Sequence, residues 1–139
     1  MTDGLSIIIP TYNERHFIGP LLERLQRDHG LNDDPEIIIV DGGSTDGTAE
    51  LTPAGVKLIH SPVKRRSFQL NMGAEKATEK TLYFVHADSI PPQGYGKFIE
   101  QVMKQPFQAG CFTSVFDWPH PFLRLCNWFS RWPYDWCRG

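Results

Sequence analysis

The stretch Leu5-Ser6-Ile7-Ile8-Ile9-Pro10-Thr11-Tyr12-Asn13-Glu14 decides how this chain is read. Leu5 to Ile9 is short, mostly apolar and rich in β-branched residues, and Pro10 interrupts it, which predicts a buried strand ending at the proline. Tyr12-Asn13-Glu14 follow as a loop in which Asn13 is placed to cap the next helix. Beyond it, Ile18, Leu21, Leu22 and Leu25 recur at helical spacing, with Pro20 expected in the first turn, where a missing N–H is tolerated. Strand, polar turn and amphipathic helix thus succeed one another within a short span.

The same alternation continues. Asp33-Asp34-Pro35 break the chain before a second buried strand, Glu36 to Val40, and Asp41-Gly42-Gly43-Ser44-Thr45-Asp46-Gly47 follow it as a turn-forming run. A short helix is expected around Thr48 to Leu51 and a third strand over Val56 to His60. Phe68, Met72 and Ala74 or Ala77 suit the buried side of a helix from about Ser67 to Ala77. Thr81 to Val85 reads as a fourth strand running into His86-Ala87-Asp88. Pro91-Pro92-Gln93-Gly94 turn the chain into a helix with Phe98, Ile99, Val102 and Met103 inward, and Gln108 to Phe116 reads as a fifth strand. Strands alternating with helices imply an α/β fold, Rossmann-like, with a mostly parallel sheet covered on both faces. Ligands of such sheets bind at the carboxyl ends of the strands. Tyr12 to Glu14, Asp41 to Asp46 and Asp88 all fall at that edge, so three carboxylate-bearing loops converge there.

Composition narrows the class. The 139 residues suit one domain, 1–139, with a core over 1–116 and a tail over 117–139. A net charge of -2 supplies no global basic field for nucleic acid. The dense positive cluster is Lys64-Arg65-Arg66. Cys111, Cys126 and Cys137 lack zinc-type spacing and are odd in number, which points to reduced thiols and a cytoplasmic protein. No signal peptide is expected after Met1, and no apolar run approaches the roughly 20 residues of a membrane span.

Each motif has a plain structural reading beside its functional one. The Asp41 to Thr48 loop can be an Asx-rich turn with glycines at positive φ. It is not a Walker phosphate loop, since no Gly-Lys-Ser/Thr follows, and it lacks the dinucleotide Gly spacing. His86 and Asp88, at i and i+2 on an extended segment, would point the same way. A carboxylate there can hold Mg²⁺ or Mn²⁺ together with a diphosphate and water, and an adjacent imidazole favours Mn²⁺.

Taken in order, Ser6 to Glu14, Glu36 to Thr48, Arg66-Ser67-Phe68-Gln69-Leu70-Asn71-Met72-Gly73-Ala74 and Phe84-Val85-His86-Ala87-Asp88 resemble a family 2 glycosyltransferase of the GT-A fold. The resemblance implies a nucleotide-diphosphate sugar of UDP or GDP type as ligand. Its site would include Thr11, Tyr12, Glu14, Asp41, Arg66, Asn71, Ala87 and Asp88. Asp41 would accept a hydrogen bond from the base, Glu14 would lie near the ribose, and Arg66 near the diphosphate. The family's Asp-x-Asp metal motif aligns with His86-Ala87-Asp88, so Asp88 inherits the metal role with His86 beside it. The His-Ala-Asp form is similar to a subgroup often labelled arsenosugar-type. Gly73 matches a family position and is expected to serve helix packing.

The resemblance further implies displacement at the anomeric carbon, inverting, with a carboxylate base for the acceptor hydroxyl. Family domains normally continue into an acceptor-binding half that supplies this base. Asp117 and Asp135 are the late acids that remain as candidates, so a catalytically incomplete nucleotide-sugar-binding protein is the alternative. A sugar nucleotidyltransferase lacks the glycine-rich basic loop it needs after the first strand. All four tryptophans lie from Trp118 to Trp136. Phe122, Leu125, Phe129 and Trp132 fall there at helical spacing, an apolar stripe suited to core packing, a homo-oligomer or peripheral membrane contact.

Overall fold

The computed structural model of the chain describes residues 4–106 and 109–112. The chain divides into two units, Met1–Pro106 and Phe107–Gly139, and the fold below is that of the first. Its elements are β1 (Leu5–Thr11), α1 (Arg15–Arg27), β2 (Glu36–Asp41), a 3-10 turn (Ala49–Leu51), β3 (Lys57–His60), α2 (Arg66–Lys76), β4 (Thr81–Phe84) and α3 (Tyr95–Met103). The four strands form one parallel sheet in the order β3-β2-β1-β4. This is the expected α/β architecture.

The order carries a functional consequence. The chain moves outward from β1 to β2 and β3, then returns to place β4 on the other side of β1. Right-handed crossovers in opposite directions put their helices on opposite faces. Between β1 and β4 the winding reverses, and it is beyond such a reversal that α/β sheets leave a crevice for ligands.

The core is built from the strands' β-branched residues. Ile8, Ile38 and Val40 are fully buried on one face, with Ile59, Leu70, Met72 and Ala77 packed against them. Ile7 pairs with Tyr83 across β1 and β4. Tyr83 lies against the ring of Tyr95, with centroids 5.7 Å apart. The buried Tyr95 hydroxyl donates to the carbonyl of Leu25 at 2.8 Å, tying α3 to the end of α1. Backbone amides of the α3 region close the same joint, Gly94 N donating to Asp28 O at 2.7 Å and Lys97 N to His29 O at 3.1 Å. No described helix is long and apolar enough to cross a membrane.

Several expectations are corrected. β1 does not stop at Pro10 but runs through it to Thr11. Ile8 O accepts from Val85 N, so the even positions of β1 face β4, and the β1–β4 ladder ends at the Ile8–Phe84 pair. The nitrogen of Pro10 therefore faces a side with no strand left to bond, where proline is tolerated. Pro20 sits in the interior of α1 and not in its first turn; the His16 carbonyl that it leaves unbonded belongs to an exposed residue. The helix expected over Thr48 to Leu51 is one 3-10 turn. β4 ends at Phe84, before Val85.

The inner faces of two helices also differ. In α2 the buried residues are Gln69 and Gly73, while Phe68 is 43% exposed. In α3 they are Tyr95 and Gly96, while Phe98 and Met103 are exposed. Of the fifth strand expected over Gln108 to Phe116, residues 109–112 are described and are not in a strand. Its remainder, Asp117, Asp135 and the Trp-rich tail lie outside the described residues.

Gly73 performs the packing role expected of it. A Cβ there would sit 2.5 Å from Cγ2 of Ile8 and 3.1 Å from Cγ2 of Val40, both in fully buried side chains. Glu36, at the far end of the sheet, accepts from the Ser6 hydroxyl, the Lys57 ammonium and, at 2.9 Å, the Thr78 amide. Burial alone would raise its pKa, but the Lys57 ammonium and the other donors outweigh this and lower it from 4.5 to about 2.

Three effects on stability are expected from this packing and charge. Gly73→Ala gains about 1 kcal/mol of helix propensity but overpacks the core at a cost of about 1–3 kcal/mol, so a net loss is expected. Gly19→Ala, where a Cβ meets nothing within 4 Å, should instead stabilise the chain in denaturant titrations. A depressed carboxylate pKa adds stability above the unfolded value and loses it as pH falls through the folded one. Stability should therefore decline between pH 4.5 and about 2, and Glu36→Gln should flatten that part of the profile in chemical denaturation.

Candidate functional site

The loop after β1 is held by the loop after β2. Asn13 takes a left-handed conformation, φ 55°. Its amide donates to Ser44 Oγ at 2.8 Å, and its Oδ1 accepts from Thr45 N at 2.9 Å. Glu14 N donates to Thr48 Oγ1 at 2.9 Å, and Arg15 N to Asp46 Oδ2 at 3.1 Å. The cap position of α1 is Glu14, with no side-chain cap bond of its own. Asn13 is thus a latch between two loops rather than the expected helix cap. The amides around the start of α1 are satisfied from the distant Ser44, Asp46 and Thr48, as free helix-end amides require.

Asp41 organises the second loop from below. It is 1% exposed. Oδ2 accepts from the amides of Gly43 at 3.0 Å and Ser44 at 2.9 Å, while Oδ1 accepts from the hydroxyls of Thr11 at 3.1 Å and Ser44. Burial would raise this carboxyl's pKa, but the bonds from Ser44, Gly43 and Thr11 hold it below the usual carboxylate range. The Thr48 hydroxyl, with backbone amides of Arg15 and Thr48, likewise lowers Asp46. Gly43 and Gly47 sit at φ 87° and 88°, the positive values expected of an Asx-rich turn. The amides of Gly42, Gly43, Ser44, Thr45 and Thr48 are all bonded within the protein. These five amides are therefore not free to cradle a phosphate.

A cleft of about 170 Å³ opens at the end of β1, lined by Pro10, Thr11, Tyr12, Glu14, Lys64, Arg66 and Gln69. The Lys64 ammonium lies 4.7 Å from the centre of the Tyr12 ring, in cation–π range. Arg66, the first residue of α2, brings a second cation. Gln69 forms the floor. It is 4% exposed, and its Nε2 donates to Thr11 O at 2.9 Å and Val40 O at 2.7 Å, bridging the ends of β1 and β2.

Across the switch point, His86 and Asp88 are exposed and Ala87 is buried at 4%. The segment is a turn closed by Ser89 N donating to His86 O at 3.0 Å, and not the extended backbone expected from sequence. Among the described residues, neither side chain has a hydrogen-bond or ion-pair partner, and no three His, Cys, Asp or Glu side chains form a metal-holding group.

The structure thus brings Thr11, Tyr12, Glu14 and Arg66 together around one cleft. His86 and Asp88 stand at the end of the neighbouring β4, and Asp41 is buried beneath the loop. Asn71 is exposed on α2 and lines no part of the cleft. Lys64 and Gln69 were missed as site residues. Lys64 was visible as one of the basic triplet, whereas nothing in hydrophobic periodicity marks a buried glutamine.

A parallel sheet with polar loops and cations gathered at its switch point is an α/β architecture whose ligand crevice lies at the carboxyl edge of the strands. The profile of glycosyl transferase family 2 matches residues 6–125, and the chain belongs to that family. The uncharacterized glycosyltransferase YibD of Escherichia coli is 37% identical over 126 residues, 84% of this chain and 35% of its own length. Abequosyltransferase RfbV of Salmonella typhimurium is 33% identical over 72 residues, 52% of this chain and 22% of its own. The chain therefore spans about a third or less of these relatives. Among solved structures, the mannosyltransferase of Pyrobaculum calidifontis in complex with GDP-Man and Mn²⁺ superposes with a TM-score of 0.60 at 28% identity, covering 73% of this chain and 32% of that one. Glucosyl-3-phosphoglycerate synthase of Mycobacterium tuberculosis, with Mn²⁺ and UDP, gives a TM-score of 0.56 at 21% identity over 67% of this chain and 36% of that one. The latter likeness speaks for the GT-A fold alone.

The Asp41 geometry yields a test of its structural part. In Asp41→Asn the amide oxygen can accept from Gly43 and Ser44 while its nitrogen donates to the two hydroxyls. Asp41→Ala leaves those amides without a partner and should cost about 1.5–3 kcal/mol, with the Asn variant losing far less. Denaturation midpoints of the two variants check the order.

Proposed function

We propose that this chain carries the donor-binding part of a glycosyltransferase that moves a sugar from a nucleoside-diphosphate sugar, with inversion, to an acceptor hydroxyl. The observation that carries the proposal is the placing of polar groups without side-chain partners among the described residues on either side of the β1–β4 switch point. Arg66 stands on one side, beside Lys64, which is held against Tyr12, and the unpartnered His86 and Asp88 stand on the other. The cleft beside Tyr12, at about 170 Å³, is small against ligand pockets of roughly 300–1,000 Å³. It suits the nucleoside, leaving the diphosphate and sugar to extend over the open edge.

Each residue then has a role. Tyr12 offers its ring and Glu14 its carboxylate to the base and ribose. Asp41, with its oxygens engaged by Thr11, Gly43 and Ser44, sets the height of the loop against which the base rests. Arg66 stabilises the negative charge that grows on the diphosphate as the bond to the anomeric carbon breaks.

His86 and Asp88 fit a divalent cation that takes its remaining ligands from the diphosphate and water, since two exposed, unpartnered donors on one turn are too few for an all-protein cage. Mg²⁺ or Mn²⁺ bound there would neutralise charge on the leaving group. The pyrobaculum mannosyltransferase, solved with GDP-Man and Mn²⁺, supports this reading. Asp117 and Asp135 remain the proposed candidates for the base. Self-association through residues 117–139 and a cytoplasmic location belong to the same proposal.

Thermal denaturation with nucleoside diphosphates and their sugars, with and without Mn²⁺, tests it. At about a hundredfold excess over Kd the cognate nucleotide should stabilise the chain by roughly 2.7 kcal/mol. The Mn²⁺-dependent part should vanish in Asp88→Ala, whose unliganded Tm should match the native one because Asp88 is exposed and unpartnered. No shift across the panel would overturn the donor site. Binding without transfer to any acceptor would reduce the function to nucleotide-sugar binding.

A further inference from the structure

The orientation of the Gln69 carboxamide is fixed by its partners. Both groups within reach of its inner end are carbonyl oxygens, Thr11 O at 2.9 Å and Val40 O at 2.7 Å. Only the NH₂ group can face two acceptors, so the amide oxygen must face the other way. Both amide hydrogens are spent on the strands. The oxygen accepts nothing from any described residue. Among the described residues, the one fully buried side-chain N or O atom without a partner is Thr52 Oγ1, so the Gln69 oxygen is not sealed in the core. The residue lines the cleft, and the nitrogen end of its amide is the end turned to the strands.

We propose that Gln69 reads the nucleoside: its carboxamide oxygen accepts a hydrogen bond from an N–H or O–H of the bound donor. The inference rests on the donor site proposed above and adds a residue to it. A ligand that closes the cleft strips water from this oxygen, and an acceptor so covered without a donor is costly. The group that lands there must therefore donate. A nucleoside offers two such sources, the ring N–H of a uracil or guanine base and the ribose hydroxyls. Because the nitrogen end is pinned to two strand-end carbonyls, the amide cannot flip to suit a base that presents an acceptor instead. This is how a fixed carboxamide discriminates.

The test pairs ligand analogues with a variant. The nucleoside diphosphate that binds is compared with its ring-N-methyl form, lacking the base N–H, and with its 2′- and 3′-deoxy forms. On the native chain, the analogue missing the cognate donor should bind about tenfold more weakly or worse. In Gln69→Met most of that penalty should disappear, and which analogue behaves so tells base from ribose. Should the variant fold poorly, the native chain is read by the ¹³Cδ resonance of Gln69. That resonance should move with the parent nucleotide and not with the deficient analogue. Equal penalties in native and variant chains, or a carboxamide resonance that no nucleotide moves, overturn the assignment while leaving the donor site standing. Failure of every nucleotide to bind overturns the donor site and this assignment together.

Discussion

The close approach of α2 to the ends of β1 and β2 is the constraint from which the site follows. Gly73 allows it, because no side chain fits between the helix and the side chains of Ile8 and Val40. Gln69 lies one helical turn earlier on the same face and reaches the Thr11 and Val40 carbonyls. Arg66 lies about a turn earlier still, at the mouth of the cleft. Arg66, Gln69 and Gly73 fall at i, i+3 and i+7, one stripe running from the surface into the core. A helix pushed outward would withdraw the cation and the carboxamide together. Packing of a glycine against an isoleucine thus positions groups that stand at the cleft.

The second constraint is the pairing of the two loops. Asn13, Glu14 and Arg15 give their amides to Ser44, Thr48 and Asp46, while Thr45 gives its own to Asn13. Each loop completes the other's hydrogen bonding, so neither has its shape alone. Charge-assisted bonds to a buried carboxylate are among the stronger ones available to a loop, and Asp41 receives four. The entropy of ordering two glycine-rich segments is offset in this way before any ligand arrives.

Much of this was legible in the sequence. Short β-branched runs such as Ile37 to Val40, bounded by turn-forming residues, read as buried strands, and their alternation with helical patterns implies a parallel sheet. The clustering of Tyr12, Asp41 and Asp88 at one edge followed from strand polarity alone. What escaped reading was polar or conformational. The buried face of α2 is built on a glutamine and a glycine, so apolar periodicity pointed to Phe68, which is largely exposed. Asn13 looked like a local cap because its real partners lie 31 and 32 residues away. Pro10 looked like a stop because a lone sequence does not reveal that β4 ends two residues earlier in register.

Polar residues at the strand ends sort by whether their bonds are spent. Asp41, Asp46 and Asn13 are acidic or amide residues in a motif that invites a ligand-binding reading, yet their side-chain oxygens are engaged within the protein. Arg66, His86 and Asp88 have no side-chain partner among the described residues. Groups of the first kind carry depressed carboxyl pKa values where they are acids, and that shift reports structural bonding rather than readiness for chemistry. Groups of the second kind stay solvated until a ligand brings the complementary charge. Perturbed titration is often taken as a guide to function. In this fold it marks the scaffold, and the exposed side chains beside the switch point are the ones whose polar atoms are left without protein partners among the described residues.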